Sequence, residues 1–121
     1  MHTNPAQDCI PLLKQCIAAC QHCAEACQAE GSPHHLQRCI QLDLDCAEFC
    51  QLAVNFLQRE SEFSDLILED CAEICKTCGE ECAQHQAGHC QQCARACQEC
   101  LNACLDAISP SPGVEGLPSS S

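Results

Sequence analysis

The chain of 121 residues has no Trp, no Tyr and one Met, and its only aromatics are Phe49, Phe56 and Phe63. Large apolar side chains are therefore scarce. With Cys set aside, about a third of the residues are apolar, too little for an ordinary core. The length allows one domain and excludes a second independent core. Basic residues are also few: five against 17 acids leave a formal charge of −12, which makes nucleic acid and anionic membrane poor partners and favours cations. No apolar run approaches the ~20 residues needed to span a bilayer. The opening stretch, MHTNPAQDCIPLL, has neither a basic n-region nor an apolar h-region, so the expectation is a cytosolic protein with reduced thiols. A Ser-His-Asp set, a Gly-rich phosphate loop and an open catalytic metal position are all missing, and no enzymatic turnover is expected.

What the chain has instead is 17 Cys. Such density suggests a secreted disulfide scaffold, but the count is odd, and the Cys lie in runs of Ala, Gln, Glu and Leu rather than in Gly- and Pro-rich loops. Either these residues replace the missing core as small hydrophobes or they bind something within it.

Punctuation divides the chain into four segments. Gly31-Ser32-Pro33 reads as a helix stop, an N-cap and a first-turn proline. A polar break follows at 59–64, with Ser61 or Ser64 as N-cap, and another at 85–89. From residue 110 the Pro-, Gly- and Ser-rich tail cannot continue a helix. Segments 6–30, 33–59, 63–86 and 88–109 are rich in helix formers, with Pro expected only at their ends. Short breaks between similar helices predict an all-α, antiparallel up-down-up-down four-helix bundle over residues 1–109, followed by a tail over 110–121.

The cysteines then fall into register. The first segment carries Cys9, Cys16, Cys20, Cys23 and Cys27; the second Cys39, Cys46 and Cys50; the third Cys71, Cys75, Cys78 and Cys82; the fourth Cys90, Cys93, Cys97, Cys100 and Cys104. Steps of 3, 4 and 7 keep each set on one helical face, where Leu would line a bundle seam. Seven pairs are CxxxC, the first being Cys16/Cys20 and the last Cys100/Cys104. At that spacing two Cβ atoms lie about 5–6 Å apart on adjacent turns, so two thiolates can grip one ion. Packing alone does not account for such seams, since Leu packs better and thiols invite oxidation.

Thiolates select Cu(I), Zn²⁺ or iron–sulfur clusters. The run Cys90-x₂-Cys93-x₃-Cys97-x₂-Cys100 departs from the ferredoxin spacing C-x₂-C-x₂-C-x₃-C-P. Zinc with four thiolates stays doubly negative, and several such sites stacked in a dry channel would repel one another. Cu(I) accepts two or three thiolates and leaves less charge, so multiple Cu(I) ions per chain are the economical reading. A zinc-storing bundle and a thiol redox buffer are the alternatives.

The four segments and seven CxxxC pairs, over roughly residues 6–109, resemble the bacterial copper storage proteins. The resemblance implies storage of multiple Cu(I) ions through thiolates inside the bundle, copper donors as partners, a cytosolic location like that of the members without an export signal, and a homotetramer.

Antiparallel packing gathers His34, His35, His85 and His89 at one end, with His22 a turn or two inside. At about 100° per residue, His35 and His85 continue the Cys seams, His89, next to Cys90, lies roughly 60° off the seam, and His22 and His34 fall on outer faces. His35 and His85 are the expected mouth ligands for copper, with His89 as a further candidate. The opposite end collects Ile10, Leu12, Leu13, Leu57, Phe63, Leu66, Ile67, Leu68, Leu105 and Ile108 as an apolar plug. Asp43 stands where a Cys would complete the rhythm of the second segment. It is either a hard ligand or hydrogen-bonding group near the mouth, or it is turned outward so that Leu42 is buried instead. Phe49, Leu52 and Phe56 form a second apolar stripe, suited to a neighbouring helix or another subunit.

Overall fold

Asn4 starts the first helix: its side chain accepts from the Gln7 backbone N–H, and Pro5 takes the first helical position, where a missing N–H costs nothing. The computed structural model describes residues 4–31 and 34–108. Ser32, Pro33 and the tail 110–121 lie outside the described residues. Four α-helices follow in order: α1 (Pro5–Ala29), α2 (Gln37–Gln58), α3 (Ser64–Ala83) and α4 (Gly88–Ala107), with a 3₁₀ turn (His34–Leu36) leading into α2. Among the described residues there is no strand, and no helix is long and apolar enough to cross a membrane.

Two local features depart from the sequence reading. Pro11 lies inside α1, not at its end. It is within two turns of the N-terminus, where the lost bond to Gln7 weakens only the fraying end of the helix. Neither Ser61 nor Ser64 is the N-cap of α3, a position taken by Phe63 without a side-chain bond. Ser61 shapes the preceding turn, its Oγ accepting from Phe63 N–H and its carbonyl from Ser64. That turn closes α2 with Glu60 at φ 54°, and Ser61 N–H reaches back to the Phe56 carbonyl.

Sulfur contacts fix the topology. Cys16 meets Cys46 and Cys23 meets Cys39, so α2 runs against α1. Cys39–Cys82, Cys46–Cys75 and Cys50–Cys71 make α3 antiparallel to α2. Cys20–Cys93 and Cys23–Cys90 do the same for α1 and α4. Each helix packs on two neighbours around a common axis, as in an up-down-up-down bundle. At Gly79, α3 and α4 approach so closely that an added Cβ would lie 3.1 Å from Cys97 Cβ.

All seventeen Cys are buried, and they make up most of the core. Most of the large ordinary apolar residues gather at the end away from the histidines, where Leu13, Val54, Leu57, Ile67 and Leu68 are buried, while Leu36 and Ile40 are buried at the histidine end. Phe63, Leu66 and Leu105 do not join this plug: each is more than half exposed. Helical geometry explains this, because Leu66 and Leu105 stand about 100° from the inward-facing Ile67 and Cys104.

Candidate metal centre

One seam from each helix supplies the interior. The thiols touch without bonding, at S···S separations of 3.4–4.0 Å, far beyond the ~2.05 Å of a disulfide. A metal–sulfur bond of about 2.3 Å gives tetrahedral S···S edges of about 3.8 Å, so the cysteines stand close to the spacing that a shared ion would impose.

Five four-sulfur groups show how the interior is organised. Cys16, Cys46, Cys50 and Cys75 form one, and Cys16, Cys20, Cys46 and Cys97 a second. Cys20, Cys78, Cys93 and Cys97 form a third, and Cys50, Cys71, Cys75 and Cys100 a fourth. These overlap, each sharing two cysteines with a neighbour, so a thiolate in one group is already a ligand of the next. Beyond them, Cys9 and Cys104 are buried towards the apolar end. The fifth group, Cys23, Cys27, Cys39 and Cys90, is nearest the histidines and shares no cysteine with the other four.

Asp43 stands between this outer group and the deeper ones. It is fully buried, and Leu42 is only half-buried, so the helix turns the carboxyl inward. Oδ1 accepts from Cys93 at 3.2 Å, Cys78 at 3.3 Å and Cys82 at 3.4 Å, while Cys39 approaches Oδ2 at 3.9 Å. Burial above all pushes the carboxyl up to about 10, so it is a neutral acid near neutral pH.

Protonation of the thiols follows their bonding. Cys20 is raised by its hydrogen bonds with Cys16 and other neighbouring thiols, with burial adding to the effect. Cys75 is raised in the same way, with Cys100 the foremost partner. Burial lifts Cys90 to about 12, helped by the charge of Cys39. Cys39 moves the other way: bonds from Cys23 and then Cys82 lower it, and nearby His85 contributes. Deeper in the bundle Cys16, Cys46, Cys71, Cys78 and Cys93 are lowered as well, so thiols disposed to ionise and thiols that hold their protons are interspersed along the interior.

Of the predicted mouth ligands, His89 makes the sulfur contact. Its Nε2 lies 3.5 Å from Cys27 Sγ and 3.3 Å from Glu30 Oε2, and the His22 ring stands edge-on to it at 6.4 Å. His85 instead places Nε2 2.9 Å from Glu81 Oε2. His35 is exposed, its ring 6.1 Å from that of His85, and His34 is exposed as well. Glu81, Glu30 and Arg38 were not among the predicted residues. Glu81 had one available signal, its position four residues before His85 on an apolar seam.

The comparisons with known proteins agree with this geometry. Residues 2–109 match the family described as copper storage protein, Csp. The cysteine-rich protein YhjQ of Bacillus subtilis (strain 168) is 44% identical over 85 residues, which is 70% of this chain and 79% of that protein. The structure of the Cu(I)-bound copper storage protein BsCsp3 superposes with a TM-score of 0.83 at 42% identity, covering 87% of this chain and 99% of that one. A cytosolic copper storage protein from Streptomyces lividans, holding five coppers, has a TM-score of 0.83 at 34% identity, over 88% of this chain and 94% of that one.

Proposed function

The chain belongs to the copper storage protein family, and we propose that it stores multiple Cu(I) ions on the thiolates of its interior, admitted at the histidine-bearing mouth. It is a store, not an enzyme. One observation carries the reading: seventeen free, buried thiols, ten of them in four overlapping four-sulfur groups and four more in a separate group at the mouth. Shared membership lets an ion move among the deeper groups by exchanging one thiolate at a time, and Asp43 stands at the step from the outer group to them. Soft sulfur donors with little net charge per ion suit Cu(I) better than a stack of tetrathiolate zinc sites.

Copper is received at His89 and Cys27, with His85, His35 and the ionisable Cys39 across the mouth, and passes Asp43 on its way to the deeper groups. Every Cys is assigned as a ligand. Asp43 contributes an oxygen where the thiol row is interrupted. The cytosolic setting is supported by the Streptomyces lividans relative described as cytosolic. We also assign a homotetramer, supported by a groove of about 610 Å³ between α2 and α3, where Leu42, Phe49, Leu52 and Ile74 present apolar surface. Leu52→Glu is expected to shift sedimentation towards a monomer.

The decisive experiment is an anaerobic titration of the reduced protein with Cu(I) against a chromophoric chelator, repeated with Zn²⁺. Many Cu(I) per chain, with Zn²⁺ unable to displace them, is expected. Uptake of only one or two ions, or a preference for Zn²⁺, overturns the reading.

A further inference from the structure

Two carboxylates are buried among the described residues, Asp43 in the interior and Glu81 at the mouth. Glu81 Oε1 accepts from Arg38 Nη1 at 2.9 Å, and Oε2 lies 2.9 Å from His85 Nε2. Arg38 precedes Cys39 and Glu81 precedes Cys82, and those two thiols are themselves 3.4 Å apart. The clamp is therefore built on the same turns that present the first thiols of the α2–α3 side. The backbone of His85 is held too, its carbonyl accepting from Gln91 Nε2 at 2.6 Å.

A carboxylate offers only lone pairs, so the hydrogen in the bond between Glu81 and His85 belongs to Nε2, and the lone pair of the neutral ring is on Nδ1. Metal-binding imidazoles commonly pass their second N–H to a carboxylate in this way, which fixes both tautomer and orientation. We propose that Glu81 is the positioning residue of the mouth: it holds His85 as the Nε2–H tautomer, so that Nδ1 is the nitrogen offered to incoming Cu(I), and Arg38 holds Glu81 in place. This rests on the reading above that copper passes the histidine-bearing mouth.

Glu81→Gln tests it with a change of one atom. The single amide oxygen stays with Arg38, the amide NH₂ then faces Nε2, and the ring proton moves to Nδ1. Nitrogen NMR of the metal-free protein is expected to show the His85 tautomer inverted. Loading from a Cu(I) chelator should be about tenfold slower, with copper capacity and helix content unchanged. Adding Arg38→Ala frees the amide oxygen for His85 and should restore the Nε2–H tautomer and much of the rate. If Glu81→Gln does not fold, Arg38→Ala alone serves, since that side chain is 64% exposed; a mixed tautomer population is expected, and unchanged ring shifts overturn the proposal. So does a Glu81→Gln protein that loads at the unsubstituted rate while His85→Ala loads slowly. Full-rate loading by His85→Ala would instead take His85 off the copper path assigned above, and overturn this inference with it, while leaving His89 and Cys27 as the receiving pair.

Discussion

The Cys93 thiol on α4 donates to Oδ1 of Asp43 on α2 over 3.2 Å, and Cys78 and Cys82 on α3 converge on the same oxygen. One carboxyl thus ties three helices together at the point where the outer thiol group gives way to the deeper ones. The site is satisfied as built: no buried side-chain nitrogen or oxygen among the described residues lacks a hydrogen-bond partner.

That arrangement makes the metal-free protein sensitive to pH. Asp43 ionises near 3.9 in the unfolded chain but keeps its proton up to about 10 when folded. Between those limits the folded state binds a proton that the unfolded state has lost, so stability falls as pH rises. Anaerobic denaturation should give a lower midpoint at about pH 8 than at about pH 5, and Asp43→Asn, neutral throughout, should flatten the decline. An identical slope in the variant would show that the carboxyl does not cause it.

Loading has the opposite dependence. Hydrogen bonds to neighbouring thiols, with burial adding to them, hold Cys20, Cys75 and Cys82 above the usual thiol range, so filling the groups that contain them displaces protons. Copper affinity, measured by chelator competition, is expected to rise with pH, and an unbuffered solution should acidify as copper is added. Binding with no proton release would mean that the interior is already ionised.

The sequence carried the bundle and its contents because both depend on periodicity. Steps of 3, 4 and 7 place Cys9 through Cys104 on inward faces whatever the loops do. The mouth was harder to read. Angular arithmetic places His85 and His35 on the seams, yet the His85 ring is drawn to Glu81, and His89, nominally off the seam, reaches Cys27. A side chain several bonds long covers 60° of helix surface easily, so hydrogen-bond partners decide where it goes. Asp43 was undecidable from sequence for the same kind of reason. Whether the carboxyl or Leu42 faces inward depends on three thiols from other helices that spacing on α2 does not reveal.

His89 supplies a kinetic prediction. Its Nε2 lies 3.5 Å from Cys27, at the outermost thiol group, whereas the four overlapping groups described above are made of cysteine alone. His89→Ala should therefore slow Cu(I) uptake, by about tenfold, while leaving the total bound nearly intact. Stopped-flow spectroscopy at the ultraviolet thiolate-to-copper bands would follow this without background from Trp or Tyr, which the chain lacks. A large fall in capacity with an unchanged rate would make His89 a structural residue rather than a receiving ligand.

Gly79 tests the packing on which the thiol groups depend. In the middle of a helix, glycine costs about 1 kcal/mol relative to alanine, so its presence in α3 needs a reason. The reason is contact: a Cβ there would lie 3.1 Å from Cys97 Cβ and 3.6 Å from the Ala94 carbonyl oxygen. Gly79→Ala sets improved helix propensity against that tight contact, and the two should nearly cancel. Gly79→Val adds two methyl groups and a stiff side chain, must push α4 outward, and is expected to destabilise by about 1–3 kcal/mol. Because Cys97 belongs to two of the four-sulfur groups, the same variant should also bind its copper less tightly in chelator competition. A Gly79→Val protein as stable and as copper-retentive as the unsubstituted chain would show that the two helices have room to spare.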